Sequence, residues 1–526
     1  MKRSAKDVLN SLLELVKMMD SMGKIVVEKE VFYNQLHKIN DRYKSLTILE
    51  KKNLWILIST NFESDPQLHI FLLSTVLEAT EDDEVLALIV NMLINSKLNI
   101  NQSIYAYLQI TRYNFIHAAS NSRYSLRRIL HESILTRFKE KLSLQFKYRK
   151  LNERNSNRIV IVTGVILDIN HAPTKKVLEH CYRLQKVLKK EILLVVCPIE
   201  STSENRLTWF NPINLLYHKD YENEFYSINY KNESIKTYQL AIKTESIHLF
   251  MNLISVIYDF NPLFILSMGS EYPWEDVMSQ FTTVAVKEMS VHYPISEALI
   301  LFCNKGVKPN IVETELNYLL KKGQIPLEYK IDVVLDDAKN LLQRNHLNID
   351  ENAFVLVIVG NRLDKEITEE YSDFLERLLE IDNRLNLAFI GEYNKYTLSD
   401  SKKDRVYYLG YQIDLSGAYH VTDLFLNPPR NGGGIGALLA LYNGVPVVTL
   451  PNCDVASNVG KDFICDSYSE MYQIINRYLN DKEFYKDKQL KGLELTHKDQ
   501  RDDAGLSEMI NDIVKAVEQM EQKIML

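Results

Sequence analysis

Four glycines in five residues, Gly432, Gly433, Gly434 and Gly436, interrupt the apolar stretch DLFLNPPRNGGGIGALLALYNGVPVVTL, which runs from Asp423 to Leu450. Glycine admits backbone conformations that other residues avoid, and it lets a ligand come close to main-chain N–H groups. The stretch reads as a short buried strand at Leu424–Leu426, ended by Pro428–Pro429, and then the glycine loop. A helix over Ile435–Tyr442 follows, stopped by Asn443–Gly444, and then a second strand at Val445–Leu450. A loop that opens a helix in this way is an anion site. The first-turn N–H groups have no intrahelical acceptor, and the helix dipole favours negative charge. The other reading of the same glycines is a tight packing turn in a βαβ unit.

Two further cations have the right chemistry for an anion. Arg362 and Lys365 follow a β-branched run, Ala353–Val359, that reads as a strand. A guanidinium binds two phosphate oxygens at once, and an ammonium adds a compact charge. The same two residues also suit a solvated helix start. His171 lies in NHAPT, on the loop after an earlier strand, and a histidine there can act as a general base or orient an acceptor group. Its alternative is a polar residue at a helix N-terminus. His292 and His420 are weaker candidates, and His420 falls in a helical pattern. The chain has no Asp-x-Asp pair, so no metal ligands are assigned.

These residues must be held by a large scaffold. A chain of 526 residues is too long for one core and suggests roughly three domains. The net charge of −7 is spread over mixed acids and bases, which argues against nucleic acid and anionic lipid as partners. No apolar run reaches the roughly eighteen residues of a membrane span. The N-terminus has no signal-peptide core, and the five cysteines are scattered without a CxxC. Both features fit a cytoplasmic protein with reduced thiols.

Residues 1–150 show helical periodicity in VLNSLLELVKMM, NLWILIST, QLHIFLLSTVLEA and EVLALIVNMLI, with breaks at Asp65–Pro66 and Asn99–Asn101. The basic segment Arg123–Lys150 reads as a solvated helix face. Leu151–Asn157 reads as a linker. A strand at Arg158–Val162, a helix at Lys175–Lys189 and a strand at Glu191–Val196 then open a parallel sheet. Further strands are expected at Leu263–Ser267 and Ala298–Phe302. Irregular or antiparallel structure is expected over 200–235, an irregular or helix-like stretch at Phe281–Pro294, and a connector at Lys321–Pro326. A second series follows, with a strand at Ala353–Val359, a helix at Lys365–Ile381 and strands at Asn386–Ile390 and Val406–Leu409. Together these give a helical N-terminal domain (1–150) and two Rossmann-like α/β domains (151–325 and 326–526) facing across a cleft. The last helix, Gly505–Lys523, is amphipathic and suits packing back on the first α/β domain.

Three stretches, Asn170–Thr174, Val359–Lys365 and Asn431–Val448 with its continuation to Gly460, together resemble the O-linked N-acetylglucosamine transferase family and its bacterial adhesin-glycosylating relatives. The resemblance covers residues 158–500 in outline and implies a GT-B glycosyltransferase with an all-helical domain in front. It implies a nucleotide-sugar donor, of the UDP class, whose diphosphate meets Arg362, Lys365, Asn431, Gly432, Gly433, Gly434 and Ile435. His171 then lies in the catalytic cleft, with no metal or other cofactor. The implied acceptor is a protein such as a bacterial surface adhesin. A glycan or lipid-linked sugar is the alternative acceptor, and a non-catalytic partner or chaperone subunit of a glycosyltransferase complex is the alternative role. This chain departs from the family at the acid expected in the helix after the glycine loop, where it has Leu438 and Leu439. Recognition of the donor ribose is therefore unassigned.

Overall fold

The computed structural model describes residues 5–19, 26–62, 65–95, 98–117, 121–142, 146–164, 166–167, 171–197, 209–210, 224–240, 247–269, 273–289, 294–304, 313–329, 335–393, 400–497 and 503–525. It begins with helices α1 (Ala5–Val16), α2 (Lys29–Lys44), α3 (Ile48–Phe62), α4 (Pro66–Thr80), α5 (Asp83–Asn95), α6 (Ile100–Ile116) and α7 (Asn121–Leu142). The expected breaks are helix caps. Asp65 accepts from the Leu68 N–H at the start of α4, and Asn99 forms a capping box with Gln102 at the start of α6. Trp55, His69 and Tyr113 are buried packing residues. The basic segment behaves differently from the solvated face its composition suggests. Arg123 and Arg127 on α7 are buried, and Arg137 donates to Ser103 Oγ at 3.1 Å. Long cationic side chains here cross the interior to reach acceptors on neighbouring helices.

The next elements are β1 (Asn155–Thr163), α8 (Ala172–Lys186), β2 (Glu191–Val196), β3 (Glu224–Tyr230), β4 (Glu233–Gln239), α9 (Ile247–Phe260), β5 (Pro262–Met268), α10 (Pro273–Met278), β6 (Val284–Lys287), β7 (Ile300–Asn304), α11 (Glu313–Lys321) and β8 (Ile325–Tyr329). They form a sheet in the order β3-β4-β2-β1-β5-β6-β7-β8, parallel except for the β3–β4 hairpin. Two sequence expectations fail here. Phe281–Pro294 contains β6, and the stretch read as a connector runs into β8, which pairs with β7. Both strands are short and lack the long β-branched run that marks β1.

Side chains alternate across a strand, so one strand serves two cores. Val160 and Val162 of β1 face a core shared with the seven N-terminal helices and α9, while Ile159 and Ile161 face α8. The helical segment therefore packs directly on one face of this sheet. The last helix, α19 (Asp503–Met525), covers the other face through Leu506, Ile513 and Val517. Glu521 of α19 accepts from the Leu151 N–H at 3.0 Å, which pins the returning helix to the turn that precedes β1.

The second series is β9 (Phe354–Val359), α12 (Leu363–Glu366), α13 (Glu369–Ile381), β10 (Leu385–Ile390), β11 (Val406–Gly410), α14 (Leu415–Ala418), β12 (Leu424–Leu426), α15 (Gly434–Tyr442), β13 (Val447–Val448), α16 (Asp454–Val459), α17 (Tyr468–Asn480) and α18 (Lys482–His497). Its sheet is parallel throughout, in the order β11-β10-β9-β12-β13. The helix expected over Lys365–Ile381 is two helices. Thr368 stops the first by capping the second, its hydroxyl accepting from the Tyr371 N–H at 3.2 Å.

Candidate functional site

Strand order decides where the candidate residues meet. From β9 the chain passes to β10 on one side, and it later returns to β12 on the other. Between β9 and β12 the sheet changes direction of winding, and the carboxyl ends of two such strands leave a crevice where ligands bind. Both candidate stretches leave from these two ends. Gly360–Lys365 follows β9, and Asn427–Gly434 follows β12. The first sheet has the same feature at β1, which lies between β2 and β5, and the loop that carries His171 follows β1.

The two loops of the second sheet are joined by side chains. Arg362 donates from Nε to Glu366 Oε1 at 3.1 Å and from Nη2 to the Asn431 carbonyl at 3.1 Å. Arg430 donates from Nη1 to Glu366 Oε2 at 2.7 Å and from Nε to Asn427 Oδ1 at 3.0 Å. One carboxylate thus holds two guanidiniums, one from each loop. The Gly432 N–H donates to Asp454 Oδ2 at 2.7 Å, which ties the glycine loop to the start of α16. Lys365 is exposed on α12, and Asn431 and Ile435 are half-buried.

The glycines have different jobs. Gly433 has φ +84°, in the left-handed region, and is the residue from which α15 starts. A Cβ at Gly433 would lie 2.6 Å from Arg430 Nη2, and one at Gly360 would lie 2.4 Å from Arg430 Nη1. A Cβ at Gly434 would meet Asn458 Nδ2 at 2.6 Å, so this glycine is needed for the contact between α15 and α16. Gly434 therefore has a packing role in this turn. The first turn of α15, whose residues are buried or half-buried, still has N–H groups without intrahelical acceptors.

His171 precedes α8, and its Nδ1 is 3.0 Å from Thr174 Oγ1. Thr174 is fully buried and accepts from the Leu167 N–H at 2.9 Å. The threonine thereby fixes the ring, and burial holds the imidazole below its ordinary pKa. Burial thus favours the neutral form of His171. His171 belongs to the first sheet, whereas the glycine loop follows a strand of the second. Asn170 and His292 lie outside the described residues. His420 is exposed on a short turn, Tyr419–Val421, that precedes β12.

Arg430, Glu366 and Asn427 were not singled out in the sequence. Arg430 stands inside the glycine stretch, between Pro429 and Asn431, and an arginine beside an anion loop was the available signal. Glu366 offered none, because its importance lies in bonds that cross between loops 64 residues apart. Among the described residues no group of three or more His, Cys, Asp and Glu side chains is arranged to hold a metal ion. No helix among them is long and apolar enough to cross a membrane.

A family model described as Glycosyl transferases group 1 matches residues 323–481, which span the second sheet and both loops. Among solved structures, an O-GlcNAc transferase mutant from Thermobaculum terrenum aligns over 99% of this chain and 96% of its own, with a TM-score of 0.56 at 13% identity. This likeness establishes the GT-B fold with its helical N-terminal region. A trehalose-6-phosphate structure from E. coli, bound with UDP-2-fluoro glucose, aligns over 68% of this chain and 99% of its own, with a TM-score of 0.45 at 11% identity. A glycosyltransferase from Rickettsia africae aligns over 69% and 99%, with a TM-score of 0.46 at 11% identity. No curated protein sequence matches the chain.

Proposed function

We propose that this GT-B chain is a glycosyltransferase that binds a nucleoside-diphosphate sugar, of the UDP class, in the crevice between the loops after β9 and β12. The observation that carries this reading is the meeting of those loops at a switch point, with Arg362, Lys365 and the first turn of α15 at one strand edge. When the bond from the anomeric carbon to the diphosphate breaks, its electron pair leaves with the diphosphate oxygen. Negative charge grows there, and preorganised cations and N–H dipoles lower the barrier most at such a place. Arg362 and Lys365 supply the cations, and the N–H groups that begin α15 supply the dipoles. Neutral His171 takes a proton from the acceptor or orients its hydroxyl or amide. The acceptor in this reading is a protein, in the cytoplasm.

One observation favours a second reading. Helix α15, GIGALLALY, carries no carboxylate, and Leu438 and Leu439 are half-buried at the place where an acid was expected. A chain without a ribose-binding acid suits a non-catalytic partner of an active glycosyltransferase. A screen of nucleotide sugars against peptide and glycan acceptors separates the two. Sugar transfer with release of UDP supports the enzyme. A folded protein that binds no nucleotide and transfers nothing supports the partner. The charge is supplied by side chains and N–H groups in this reading, so transfer is expected to persist in EDTA. Loss of activity on chelation, restored by manganese, would overturn the proposed chemistry.

A further inference from the structure

Arg430 is the least explained polar group of the crevice. Its side chain is 4% exposed, and two of its three nitrogens are paired, Nη1 to Glu366 Oε2 at 2.7 Å and Nε to Asn427 Oδ1 at 3.0 Å. Its third nitrogen, Nη2, is buried without a hydrogen-bond partner. Buried guanidinium N–H groups are normally satisfied, so this one calls for an acceptor. The arginine is also expensive to place. It occupies space that side chains at Gly360 and Gly433 would fill, so two glycines on two loops are given up to seat it. The unpaired nitrogen faces Gly433, the residue from which α15 begins. An unsatisfied cationic N–H and the N–H groups of a helix start, which have no acceptor within the helix, therefore share one wall.

We propose that Arg430 is an anion-binding residue of the donor site, whose Nη2 bonds a phosphate oxygen of the bound nucleotide diphosphate from behind the glycine loop. Glu366 is its positioning residue. By holding Arg430 and Arg362 with its two oxygens, it presents guanidiniums from both loops to the same ligand. Asn427, buried and donating to Thr449 Oγ1 at 3.0 Å, fixes the other side of Arg430. The bound anion lies in the reach of cations from both strand ends, and its binding draws the two loops together. This inference rests on the donor-site reading given above and adds a residue to it.

Calorimetric titration of UDP, inorganic pyrophosphate and uridine into the full chain tests it. Arg430→Met keeps the bulk of the side chain and removes the charge. It is expected to weaken UDP and pyrophosphate binding by about tenfold or more, because charge-assisted bonds are the strong ones, and to leave uridine binding unchanged. Arg430→Lys is expected to recover part of the loss, and it also serves if the Met variant does not fold. Wild-type affinity for UDP and pyrophosphate in a folded Arg430 variant would make Arg430 a brace and nothing more. An equal fall for uridine would mean a collapsed loop, which also overturns the proposal. If Lys365→Ala weakens UDP binding while both Arg430 variants do not, only this inference fails. If the wild-type protein binds neither UDP nor pyrophosphate, the donor-site reading fails and takes this one with it.

Discussion

At the scale of single residues, the donor and acceptor roles separate by what each side chain touches. Lys365 is exposed on a one-turn helix, so its loss costs no core packing. Hydrogen bonds to charged groups are worth about 1.5–3 kcal/mol, so Lys365→Ala should weaken UDP binding by roughly tenfold to a hundredfold. Circular dichroism should show it folded. His171→Ala should leave UDP affinity near wild type and lower transfer, because the residue follows a strand of the other sheet. Since burial holds His171 below its ordinary pKa, its base form persists to lower pH, and the acid limb of the rate profile should lie below pH 6.5. A rate profile with its acid limb above that value would remove His171 from the mechanism. Gly434 tests a different property. Valine at 434 would bring its Cβ within 2.6 Å of Asn458 Nδ2, so Gly434→Val should lower the melting temperature. A variant with unchanged melting and lost UDP binding would instead return Gly434 to the ligand.

At the scale of elements, α4 and α6 end against each other through charge. His117, which ends α6, lies 3.6 Å from Glu78 on α4 and 3.2 Å from Glu81 at its C-terminal cap. Burial disfavours the charged ring, but the two carboxylates outweigh it and hold His117 up at about 9. The folded pKa is above the unfolded value of 6.5, so this contribution is complete below about 6.5 and is lost as pH rises through about 9. His117→Gln should therefore lower the melting temperature at pH 6 and do so less at pH 9.5. The effect is small, because Glu81 is largely exposed and solvent screens the pair. Equal penalties at both pH values would show that the ring acts by packing alone. The glycine loop shows how elements were legible locally. The strand, loop and helix from Leu424 to Tyr442 were all readable, because each carries its own start or stop signal. The break between α12 and α13 was missed, because a single Thr cap ended a pattern that remained periodic.

At the scale of the whole molecule, the helical segment is joined to the first sheet by a buried pair. His131 on α7 lies 3.2 Å from Asp276 on α10, and both are 1% exposed. Asp276 also accepts from the Glu297 N–H at 2.9 Å and from Ser296 Oγ. Arg127, Arg128 and Lys139 of α7 and the Glu297 carboxylate also act on this pair. Burial pushes the Asp276 carboxyl up to about 7 and the His131 ring well below its usual value. A raised carboxyl contributes stability that is complete below about 3.8 and is lost as pH rises through about 7. The lowered histidine works in the opposite direction, losing stability as pH falls below 6.5. Asp276→Asn removes the first effect only. Relative to wild type, the variant should be more stable at pH 8 than it is at pH 5, as read from urea midpoints. A difference between the two proteins that does not change with pH would show that Asp276 does not hold a proton in the folded state.

The sequence by itself determined the local elements and the chemistry they carry. β-branched runs such as Ile159–Val162 make buried parallel strands, and helical periodicity marks residues 1–150. The glycine loop and the Arg362–Lys365 pair announce an anion site by residue type alone. Tertiary structure decided which of these residues share a site. Strand order is set by the burial of both sheet faces, and it alone places β9 beside β12 and so brings Arg362 onto the Asn431 carbonyl. The same packing turned Arg123 and Arg127 inward, seated Arg430 against two glycines and gave Glu366 its two partners. Those contacts join residues far apart in the chain. Periodicity and caps act over a few residues, and no local pattern encodes a contact that exists only once the chain has closed its cores.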